Sequence, residues 1–385
     1  MKRNLSGLGL LILLFTISLF AGGRDSVSTV TVVPGVEHMT IVKDGPFAIH
    51  VLVVDLKTEN IQVESYRPVG LVKTTEQARR NNSEGHDVIA AINADFFSFE
   101  SGWPVNNQIK NGEFVFATST QRSHFAIDTD GNPFIDKFSI SAWVKPKNGT
   151  AYPIDAVNGT HRLNSIVLHT SFSDTATSFS GPGMTFLLTL AGSSWSVGDT
   201  LKMLVAQNGG SDLSRIAKNQ AVLWVGSGPD VWRAREDVTV GDTVLVYLGM
   251  QPPVRHIRTM VGGVGMIVSN GMPVSDSLNV KEKTTITFLR ARHPRTFVGF
   301  DRDSTRLFLC VVDGRQASSL GMNFQEMAGF LLSIGVWNAM NLDGGGSSTM
   351  VIRDSIVNSP SDKTGERPVA NTLQIIRLDQ APRSK

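Results

Sequence analysis

The last third of the chain shows the clearest alternation of hydrophobic and polar segments. An apolar run from 306 to 312 predicts a buried strand, and a second run from 336 to 342 predicts another. Between them, apolar residues recur at helical spacing from 324 to 332. Asn323 is the expected N-cap of this helix, and Glu326 would complete a capping box. The pattern therefore predicts strand, helix and strand in about 30 residues, which is the length of a βαβ unit.

Both predicted strands of this unit end in an Asp-Gly turn. Asp313 and Gly314 follow the first strand, and Asp343 and Gly344 follow the second. Because the two strands of a βαβ unit run parallel, both turns are expected at one edge of the sheet. Strands lie about 4.8 Å apart, so the carboxylates should be roughly 5 to 10 Å from each other, depending on whether a strand intervenes. Ligands of open α/β sheets bind at this edge, so the two turns predict one site.

The rest of the chain reads as short strands separated by polar turns. Segments 47–55, 61–65 and 88–93 are rich in β-branched residues and predict strands. From about 134 to 249 the pattern stays β, and no helix is predicted there. We therefore predict an α+β fold, a mixed sheet with a βαβ unit near the C-terminus, carrying an inserted β-rich subdomain. The predicted divisions are a signal peptide (1–22), two parts of a main domain (23–133 and 251–378), the β-rich insertion (134–250) and a tail (379–385).

The N-terminus predicts export. Lys2 and Arg3 precede an apolar stretch at 8–20 that ends in small residues at 21–23, the pattern of a secretory signal. The stretch is shorter than the roughly 20 apolar residues that span a bilayer, and an uncleaved anchor is the alternative. The two cations account for the formal charge of +2, so the mature chain is expected to be neutral. The single cysteine, Cys310, cannot form an internal disulfide, which favours a bacterial secreted or periplasmic protein.

Charge composition excludes two classes of protein. Charged residues make up only 18% of the chain, too few for a disordered polyelectrolyte. No run of five like charges occurs, whereas proteins that track along nucleic acid need clustered Lys and Arg. A nucleic-acid partner is therefore not expected.

Three glycines and three hydroxyl residues stand in succession from Gly344 to Thr349. Glycines let a backbone approach a ligand closely and aim its N–H groups at an anion, so a phosphate is the expected guest. No Lys follows and the next residues predict a strand, so the segment is not a P-loop. A tight turn between strands is the alternative. The three successive hydroxyls favour ligand binding, since a plain turn does not require them.

Arginine is the side chain best suited to bidentate phosphate binding. Arg295 and Arg315 adjoin predicted strand ends, and we predict that both bind the phosphate. Arg367 follows Glu366 directly. For this pair, a structural ion pair and a role in the site are equally consistent with the sequence.

Six ordered segments carry a resemblance to a known family. They are AINADFF from Ala91, VGGVGMIVSNG from Val261, HPRTFVGF from His293, VVDGRQ from Val311, NLDGGGSSTM from Asn341 and GERPVANTL from Gly365. Over about residues 45 to 378, the chain resembles the phosphodiester glycosidase family. Phe297 and the Ala94-Asp95 pair depart from the family pattern, which leaves the size of the substrate open. The resemblance implies hydrolysis of a sugar-1-phosphodiester between the anomeric carbon and oxygen, with release of a free sugar and a phosphomonoester.

The chemistry of such a reaction fits these residues. A phosphomonoester has a second pKa near 6, so it leaves easily and mainly needs charge neutralisation. The sugar becomes oxocarbenium-like, and a carboxylate can stabilise it, attack it or activate water. The predicted catalytic carboxylates are Asp313, Asp343 and Asp95, with nucleophile and base unassigned. The predicted substrate-binding residues are Asn93, Arg295, Thr296, Gly314, Arg315, Gly344, Gly345, Gly346, Ser347, Ser348, Thr349, Glu366 and Arg367. The alternative for Asp313 and Asp343 is that each caps its own turn.

No cofactor is expected. No histidine cluster or Asp-x-Asp-x-Asp run indicates a dedicated metal site, although a divalent cation held by Asp343 and neighbouring oxygens stays an open alternative. The expected partner is a carbohydrate phosphodiester in a glycan or envelope polymer, with no membrane contact beyond the signal peptide. Two other functions remain: an exo-glycosidase acting on non-phosphorylated glycans, and a non-catalytic envelope protein that binds anionic polysaccharide. Carboxylates beside a phosphate weaken binding, which argues against the second.

Overall fold

The computed structural model describes residues 16–19, 25–173, 182–192, 194–209, 215–254 and 256–379. Strands account for 48% of the structure and helices for 11%, in mixed sheets, so the predicted α+β class is confirmed. Apart from 16–19, the predicted signal peptide lies outside the described residues, as does the predicted tail beyond 379.

The strands, in chain order, are β1 (Thr16–Leu19), β2 (Ser26–Val33), β3 (Val36–Lys43), β4 (Phe47–Asp55), β5 (Ile61–Tyr66), β6 (Val72–Lys73), β7 (His86–Asn93), β8 (Gln108–Lys110), β9 (Glu113–Thr118), β10 (Arg122–Asp128), β11 (Pro133–Lys145), β12 (Tyr152–Pro153), β13 (Ala156–Val157), β14 (Ile166–His169), β15 (Met184–Leu190), β16 (Asp199–Asn208), β17 (Gln220–Val225), β18 (Thr243–Gln251), β19 (Ile257–Gly262), β20 (Met266–Ser269), β21 (Met272–Pro273), β22 (Arg295–Asp301), β23 (Arg306–Val312), β24 (Val336–Asn341), β25 (Met350–Ile352), β26 (Ser355–Ile356), β27 (Pro368–Val369) and β28 (Thr372–Leu378).

The helices are α1 (Thr74–Asn81), α2 (Trp232–Asp237), α3 (Asp276–Val280), α4 (Ile286–Arg290) and α5 (Phe324–Ser333), with a short 3₁₀ turn at Gly345–Ser347. None of these helices has the length and apolar character that a membrane span requires.

A nine-stranded sheet contains the strand, helix and strand predicted near the C-terminus. Its order is β1-β2-β3-β4-β23-β22-β24-β20-β21. β23 and β24 each pair antiparallel with β22, which lies between them, so they run parallel to each other. α5 connects them along the chain. The carboxyl ends of β23 and β24 therefore lie at one edge of the sheet, about 10 Å apart because one strand intervenes.

Helix α5 packs against this sheet and begins at the predicted cap. Asn323 Oδ1 accepts a hydrogen bond from the Glu326 N–H at 2.9 Å, and Glu326 Oε2 accepts one from the Asn323 N–H at 3.0 Å, which completes the capping box. Met327 and Leu331 of the helix are fully buried in one core cluster with Cys310 of β23. Burial also raises the pKa of the Cys310 thiol. The apolar face of α5 thus holds β23 and β24 in place.

A five-stranded sheet, of order β26-β25-β7-β28-β5, supplies the other half of the site. Its strand β7 and the nine-stranded sheet share one hydrophobic core, in which Ile89 and Ile92 of β7 lie with Val298 of β22 and Met340 of β24. β25 begins directly after the glycine-rich segment that follows β24. The chain therefore passes from one sheet to the other through that segment.

A twelve-stranded sheet holds all of the strands from β8 to β19. Most of its buried apolar residues, from Ile109 to Met260, form a core cluster of their own. The prediction that 134–249 contains no helix is wrong, because α2 covers Trp232–Asp237. This helix has six residues, only Ala234 of which is buried, and no side-chain N-cap. It therefore left neither a hydrophobic period nor a capping signal in the sequence.

Candidate active site

Hydrogen bonds tie the ends of β7 and β24 together. The Asp343 N–H donates to the Ala94 carbonyl at 2.8 Å, and Asn93 Nδ2 donates to the Asp343 carbonyl at 2.6 Å. Asn93 Oδ1 accepts from Thr296 Oγ1 at 2.7 Å and from the Thr349 N–H at 3.1 Å. Asn93 and Thr296 were predicted to bind substrate, and their side chains here join three strand ends. The residues that follow β7 and β24 consequently lie side by side.

Asp95, which follows β7, is almost completely buried, with 1% of its surface exposed. Its N–H donates to Asn371 Oδ1 at 2.9 Å, and its carboxyl accepts from the Asn106 N–H at 2.9 Å and from Asn106 Nδ2 at 2.6 Å. Burial raises the pKa of Asp95 to about 7; the Asn106 hydrogen bonds oppose this rise, and the charge of Asp343 adds to it. The two carboxyl groups are thus close enough to affect each other's ionisation.

Asp343 has a different environment from its neighbour, because part of its surface remains exposed. Burial of its carboxyl raises the pKa to about 6, while the Ser347 hydroxyl, the Gly344 N–H and the charge of Arg367 oppose the rise. The Gly344 N–H donates to Asp343 Oδ1 at 2.9 Å. A carboxyl with a pKa near neutral pH can exchange a proton at little cost, which is the property of a general acid or base.

The glycine turn, residues 344–346, lies next to this carboxyl. Gly345 adopts φ +62°, in the left-handed region that favours glycine, and its N–H donates to the Pro294 carbonyl at 2.8 Å. A Cβ at Gly346 would collide with Arg367 and with the carboxylate bound to it. The backbone conformation therefore favours glycine at 345, and a side chain at 346 would have to displace the paired side chains of Asp362 and Arg367.

Three buried hydroxyl groups follow the glycine turn. Ser347 Oγ, Ser348 Oγ and Thr349 Oγ1 have no hydrogen-bond partner among the described residues. Ser347 lies close enough to Asp343 to lower its pKa, although the contact lacks the geometry of a hydrogen bond. A buried polar group without a partner costs about 1–3 kcal/mol, so such groups at a site indicate a place for water or a ligand. These hydroxyls are candidates for contacts with a bound ligand.

Two arginines lie over successive glycines of the turn. A Cβ at Gly345 would be 3.3 Å from Arg315 Nη2, which shows how closely this guanidinium approaches. Arg315 is exposed and forms no hydrogen bond or ion pair with the described residues. Arg367, over Gly346, donates from Nε and Nη2 to the Asp362 carboxylate at 2.8 and 3.0 Å. The N–H donors of Arg315 are thus available to an anion, whereas those of Arg367 at Nε and Nη2 are bound to Asp362.

Arg295 is buried beneath this surface. Its Nε donates to the Met322 carbonyl at 3.0 Å, and its Nη2 donates to the carbonyls of Phe288 and Ala291 at 2.8 and 3.0 Å. Burial lowers the pKa of Arg295 to about 10, and the charge of Arg315 contributes. These contacts support the segments around the site, and phosphate binding by Arg295 stays a prediction.

Asp313, at the end of β23, has its own set of partners. Its Oδ1 accepts from Asn358 Nδ2 at 3.0 Å and from the Ser359 N–H at 2.9 Å, and Oδ2 lies 3.9 Å from His50 Nε2. Burial raises the pKa of Asp313, and the hydrogen bonds from Asn358 and Ser359 oppose the rise. Burial also lowers the pKa of His50 to about 4, so this ring is neutral at pH 7. Asp313 therefore anchors residues 358 and 359, and its catalytic role stays a prediction.

Glu366 and Gly314, both predicted to bind substrate, also make structural contacts. Glu366 Oε1 accepts from the Thr75 N–H at 2.8 Å and Oε2 from Thr75 Oγ1 at 2.7 Å, at the start of α1. A carboxylate is favourable there, because a helix N-terminus carries unpaired N–H groups and a partial positive charge. A Cβ at Gly314 would lie 2.6 Å from Pro294 N, so backbone packing requires glycine. A direct role in substrate binding stays a prediction for both residues.

The described residues contain no group of three or more His, Cys, Asp or Glu side chains arranged to hold a metal ion. Asp343 and Asp95 form a pair of carboxyls without a third such ligand. The divalent cation considered from the sequence is therefore still untested.

Four side chains outside the set predicted from the sequence hold the site in place. Asn106 and Asn371 bind Asp95, Asn358 binds Asp313, and Asp362 binds Arg367. Asn371 lies inside the GERPVANTL segment, so the resemblance could have indicated it. The other three stand in loops without a spacing pattern, and only the fold brings them to their partners.

Comparison with known proteins connects this site to a family. Residues 204–376 match the model of the phosphodiester glycosidase family, so the resemblance found in the sequence is confirmed. The N-acetylglucosamine-1-phosphodiester alpha-N-acetylglucosaminidase of Mus musculus is 35% identical over 135 residues, which are 33% of this chain and 26% of that protein. The Homo sapiens protein of the same name is 45% identical over 75 residues, 20% of this chain and 14% of that protein. The matched regions thus cover about a quarter or less of these relatives.

Solved structures with the same fold have little sequence identity to this chain. A hypothetical protein from Synechocystis superimposes with a TM-score of 0.70 at 17% identity, covering 91% of this chain and 64% of that one. A protein from Burkholderia pseudomallei K96243 gives a TM-score of 0.64 at 19% identity, covering 86% and 74%. These likenesses concern the fold alone.

Proposed function

We propose that this chain, whose residues 204–376 match the phosphodiester glycosidase family, is an exported hydrolase. It cleaves the sugar C1–O bond of sugar-1-phosphodiesters in a glycan or envelope polymer. One observation carries the proposal. Two carboxyl groups with pKa values near neutrality, those of Asp95 and Asp343, adjoin a glycine turn that lies under the unpaired guanidinium of Arg315.

In the proposed reaction, water adds to the anomeric carbon while the bond from C1 to the phosphate oxygen breaks. The bonding electron pair goes to that oxygen, and the water proton passes by way of a carboxylate to solvent. The products are the free sugar and a phosphomonoester. Because the phosphomonoester has a second pKa near 6, it leaves without full protonation by the protein. A carboxylate therefore has its main task on the sugar side of the bond.

The contacts of the two carboxyls indicate different tasks. Asn106 binds both oxygens of Asp95, which leaves that group little freedom to meet a substrate. Asp343 is partly exposed, so it is the carboxylate that we expect to contact C1 or the attacking water. Asp343 has the lower pKa of the two and ionises first, and its charge then raises the pKa of Asp95. Asp95 is then a positioning residue, held by Asn106 beside Asp343 and with the higher pKa of the two.

The phosphate would be bound on the other side of the cleaved bond. Arg315 offers donors that no described residue uses, and the hydroxyls of Ser348 and Thr349 are also unpaired, while the Ser347 hydroxyl lies beside Asp343 without a hydrogen bond of good geometry. Donors held in place before the reaction stabilise the charge that develops on the leaving oxygen without having to reorganise. This group of donors accounts for anion binding in a chain of nearly neutral net charge.

The experiment that tests the function is a screen of sugar-1-phosphodiesters in water enriched in oxygen-18. C1–O cleavage puts the label in the free sugar, whereas P–O cleavage puts it in the phosphomonoester. We expect labelled sugar from the wild type and turnover reduced by at least about 10³-fold in Asp343→Asn. The matched control is Asp303→Asn, an exposed carboxylate at the turn between β22 and β23, which should keep full activity.

Three results would contradict this function. Label in the phosphomonoester would make the protein a phosphodiesterase rather than a glycosidase. Equal turnover of a nitrophenyl glycoside and the matching phosphodiester would indicate an exo-glycosidase for non-phosphorylated glycans. Tight binding of the phosphodiester with no hydrolysis by the wild type would indicate a polysaccharide-binding protein.

Export rests on the signal pattern in residues 1–22. Expression of the full chain in a bacterial host, followed by fractionation and N-terminal sequencing, tests it. We expect a secreted or periplasmic product that begins near residue 23. Uncleaved protein in the cytosol would contradict export but would not bear on the proposed reaction.

A further inference from the structure

An exposed aromatic side chain stands at the tip of the loop that follows Asp95. The loop is closed by hydrogen bonds from the Ser98 N–H to the Trp103 carbonyl at 3.0 Å and from the Val105 N–H to the Phe96 carbonyl at 2.8 Å. Phe99 at its tip is 71% exposed, the highest value among the exposed large hydrophobic side chains of the described residues. Burying a phenylalanine would stabilise the fold by roughly 1.5–3 kcal/mol. Single exposed apolar side chains are nevertheless common, so the position of this ring matters more than its exposure alone.

Phe99 lies at the candidate active site. The guanidinium carbon of Arg367 is 5.9 Å from the centre of the Phe99 ring. The same guanidinium lies against Gly346 and lowers the pKa of Asp343. The ring of Phe97 is 4.9 Å from that of Phe99, centre to centre, at a tilt of 59°. Phe99 is therefore supported on its neighbours and connected through one arginine to the catalytic carboxyl.

Trp103, another aromatic residue of this loop, has packing partners for its ring. Trp103 has the guanidinium carbon of Arg67 3.3 Å from its ring centre and the ring of Phe116 stacked at 5.5 Å. Its contacts are those of a packed side chain, whereas most of Phe99 faces solvent. Phe99 is therefore the most exposed of the aromatic side chains in this loop and the one most accessible to a ligand.

We propose that Phe99 is the stacking platform for the sugar ring that the enzyme releases. The face of an aromatic ring is negative and attracts the positively polarised C–H groups on the apolar face of a pyranose. The proposal rests on the proposed function, because the order of groups along the glycine turn fixes which part of the substrate meets the ring. Arg315, over Gly345, takes the phosphate, and Arg367, over Gly346, faces Asp343 and Phe99. The sugar consequently lies on the Phe99 side of the cleaved bond.

The test is a kinetic comparison of Phe99→Ala and Phe99→Tyr on one sugar-1-phosphodiester. We expect Phe99→Ala to raise KM about 3- to 10-fold, as for loss of one aromatic contact, and Phe99→Tyr to restore the wild-type value. The control is Trp232→Ala on α2, an exposed aromatic residue in the twelve-stranded half of the molecule, which should leave KM unchanged. Since Phe99 is exposed, its removal should not lower the melting temperature, and this is checked on each variant.

A second arm identifies the part of the substrate that stacks. Two phosphodiesters with the same sugar are compared, one carrying a methyl group and one carrying a nitrophenyl group beyond the phosphate. The rise in KM on Phe99→Ala should be the same for both. A rise only with the nitrophenyl ester would overturn the assignment of the ring to the released sugar, and an unchanged KM with both would overturn the platform. If the wild type hydrolyses neither ester, the proposed function itself fails, and the platform with it.

Discussion

The carboxyl groups at the ends of the strands form two sets with different surroundings. The first is the pair Asp95 and Asp343, whose pKa values are raised to about 7 and about 6. The second is Asp313, which accepts hydrogen bonds from Asn358 and Ser359 and lies 3.9 Å from the ring of His50. All three residues follow a strand at its carboxyl end. Position at the edge of a sheet therefore does not by itself determine the surroundings of a carboxyl.

The two sets of carboxyl groups differ in the residues that surround them. Asp343 has an exposed part, a carboxyl neighbour and an arginine whose charge is already balanced by Asp362. Asp313 is 5% exposed, and its hydrogen bonds hold a loop. Removal of a carboxylate that holds a loop should lower the stability of the fold. Removal of an accessible carboxylate that lies beside a second carboxyl should lower the activity. The predictions below test this division.

The largest expected effect separates the two sets directly. Asp313→Asn should lower kcat by less than about tenfold, against the loss of at least about 10³-fold expected for Asp343→Asn. The melting temperature should show the reverse order, because Asp313→Asn weakens the hydrogen bonds to residues 358 and 359. Parallel measurement of kcat and thermal unfolding on both variants decides the point. A kcat loss for Asp313→Asn as large as that for Asp343→Asn, with an unchanged melting temperature, would restore the catalytic role predicted from the sequence.

The next effect concerns the two arginines over the glycine turn. Arg315→Ala should lower kcat/KM about 10- to 100-fold, because an unpaired guanidinium is lost from the phosphate, and Arg315→Lys should recover part of it. Arg233→Ala, an exposed arginine on α2, is the matched control. Turnover of substrates without a phosphate should not change in Arg315→Ala. Equal losses with phosphorylated and non-phosphorylated substrates would mean that Arg315 supports the structure and does not bind the anion.

The third effect, on stability, follows from the buried member of the pair. Asp95→Asn should raise the free energy of unfolding by up to roughly 4 kcal/mol above pH 7, since the wild type must then bury a charge. Well below pH 4 the carboxyl is protonated in both the folded and unfolded chains, so the gain should vanish there. Between these limits only the unfolded chain releases the proton, and the gain should grow as pH rises. Asn106 Oδ1, which is buried without a partner, can accept a hydrogen bond from the new amide if the Asn106 amide turns over.

The check is urea unfolding at pH 4, 5.5 and 8, with Asp303→Asn as the control for a surface carboxylate. A difference between Asp95→Asn and the wild type that stays constant across this range would mean that the folded-state pKa of Asp95 is not raised. The charge of Asp343 would then have no detectable effect on the ionisation of Asp95.

The same division explains how far the sequence predicted the molecule. β4 and β23 were predicted to the residue, and α5 with its capping box nearly so, because hydrophobic period and caps are local signals. The predicted strand, helix and strand correctly placed Asp313 and Asp343 at the same edge of the sheet, although β22 lies between the two strands that carry them. The partners of each carboxyl did not follow, since the Asn106 and Asn358 side chains lie 11 and 45 positions from those they bind. Such contacts depend on loops that only the assembled sheets bring together.

The smallest effect concerns Glu366, which was predicted to bind substrate and which accepts two hydrogen bonds from Thr75 at the start of α1. Glu366→Ala should lower the free energy of unfolding by about 1 kcal/mol, because the first turn of the helix loses its acceptor and a favourable charge. KM should stay at the wild-type value. The exposed Glu59→Ala serves as the control, and denaturant unfolding with steady-state kinetics measures both quantities. If KM rises while stability is kept, Glu366 belongs with Asp343 as a residue that meets the substrate. If stability alone falls, it belongs with Asp313 as a residue that holds the chain around the site.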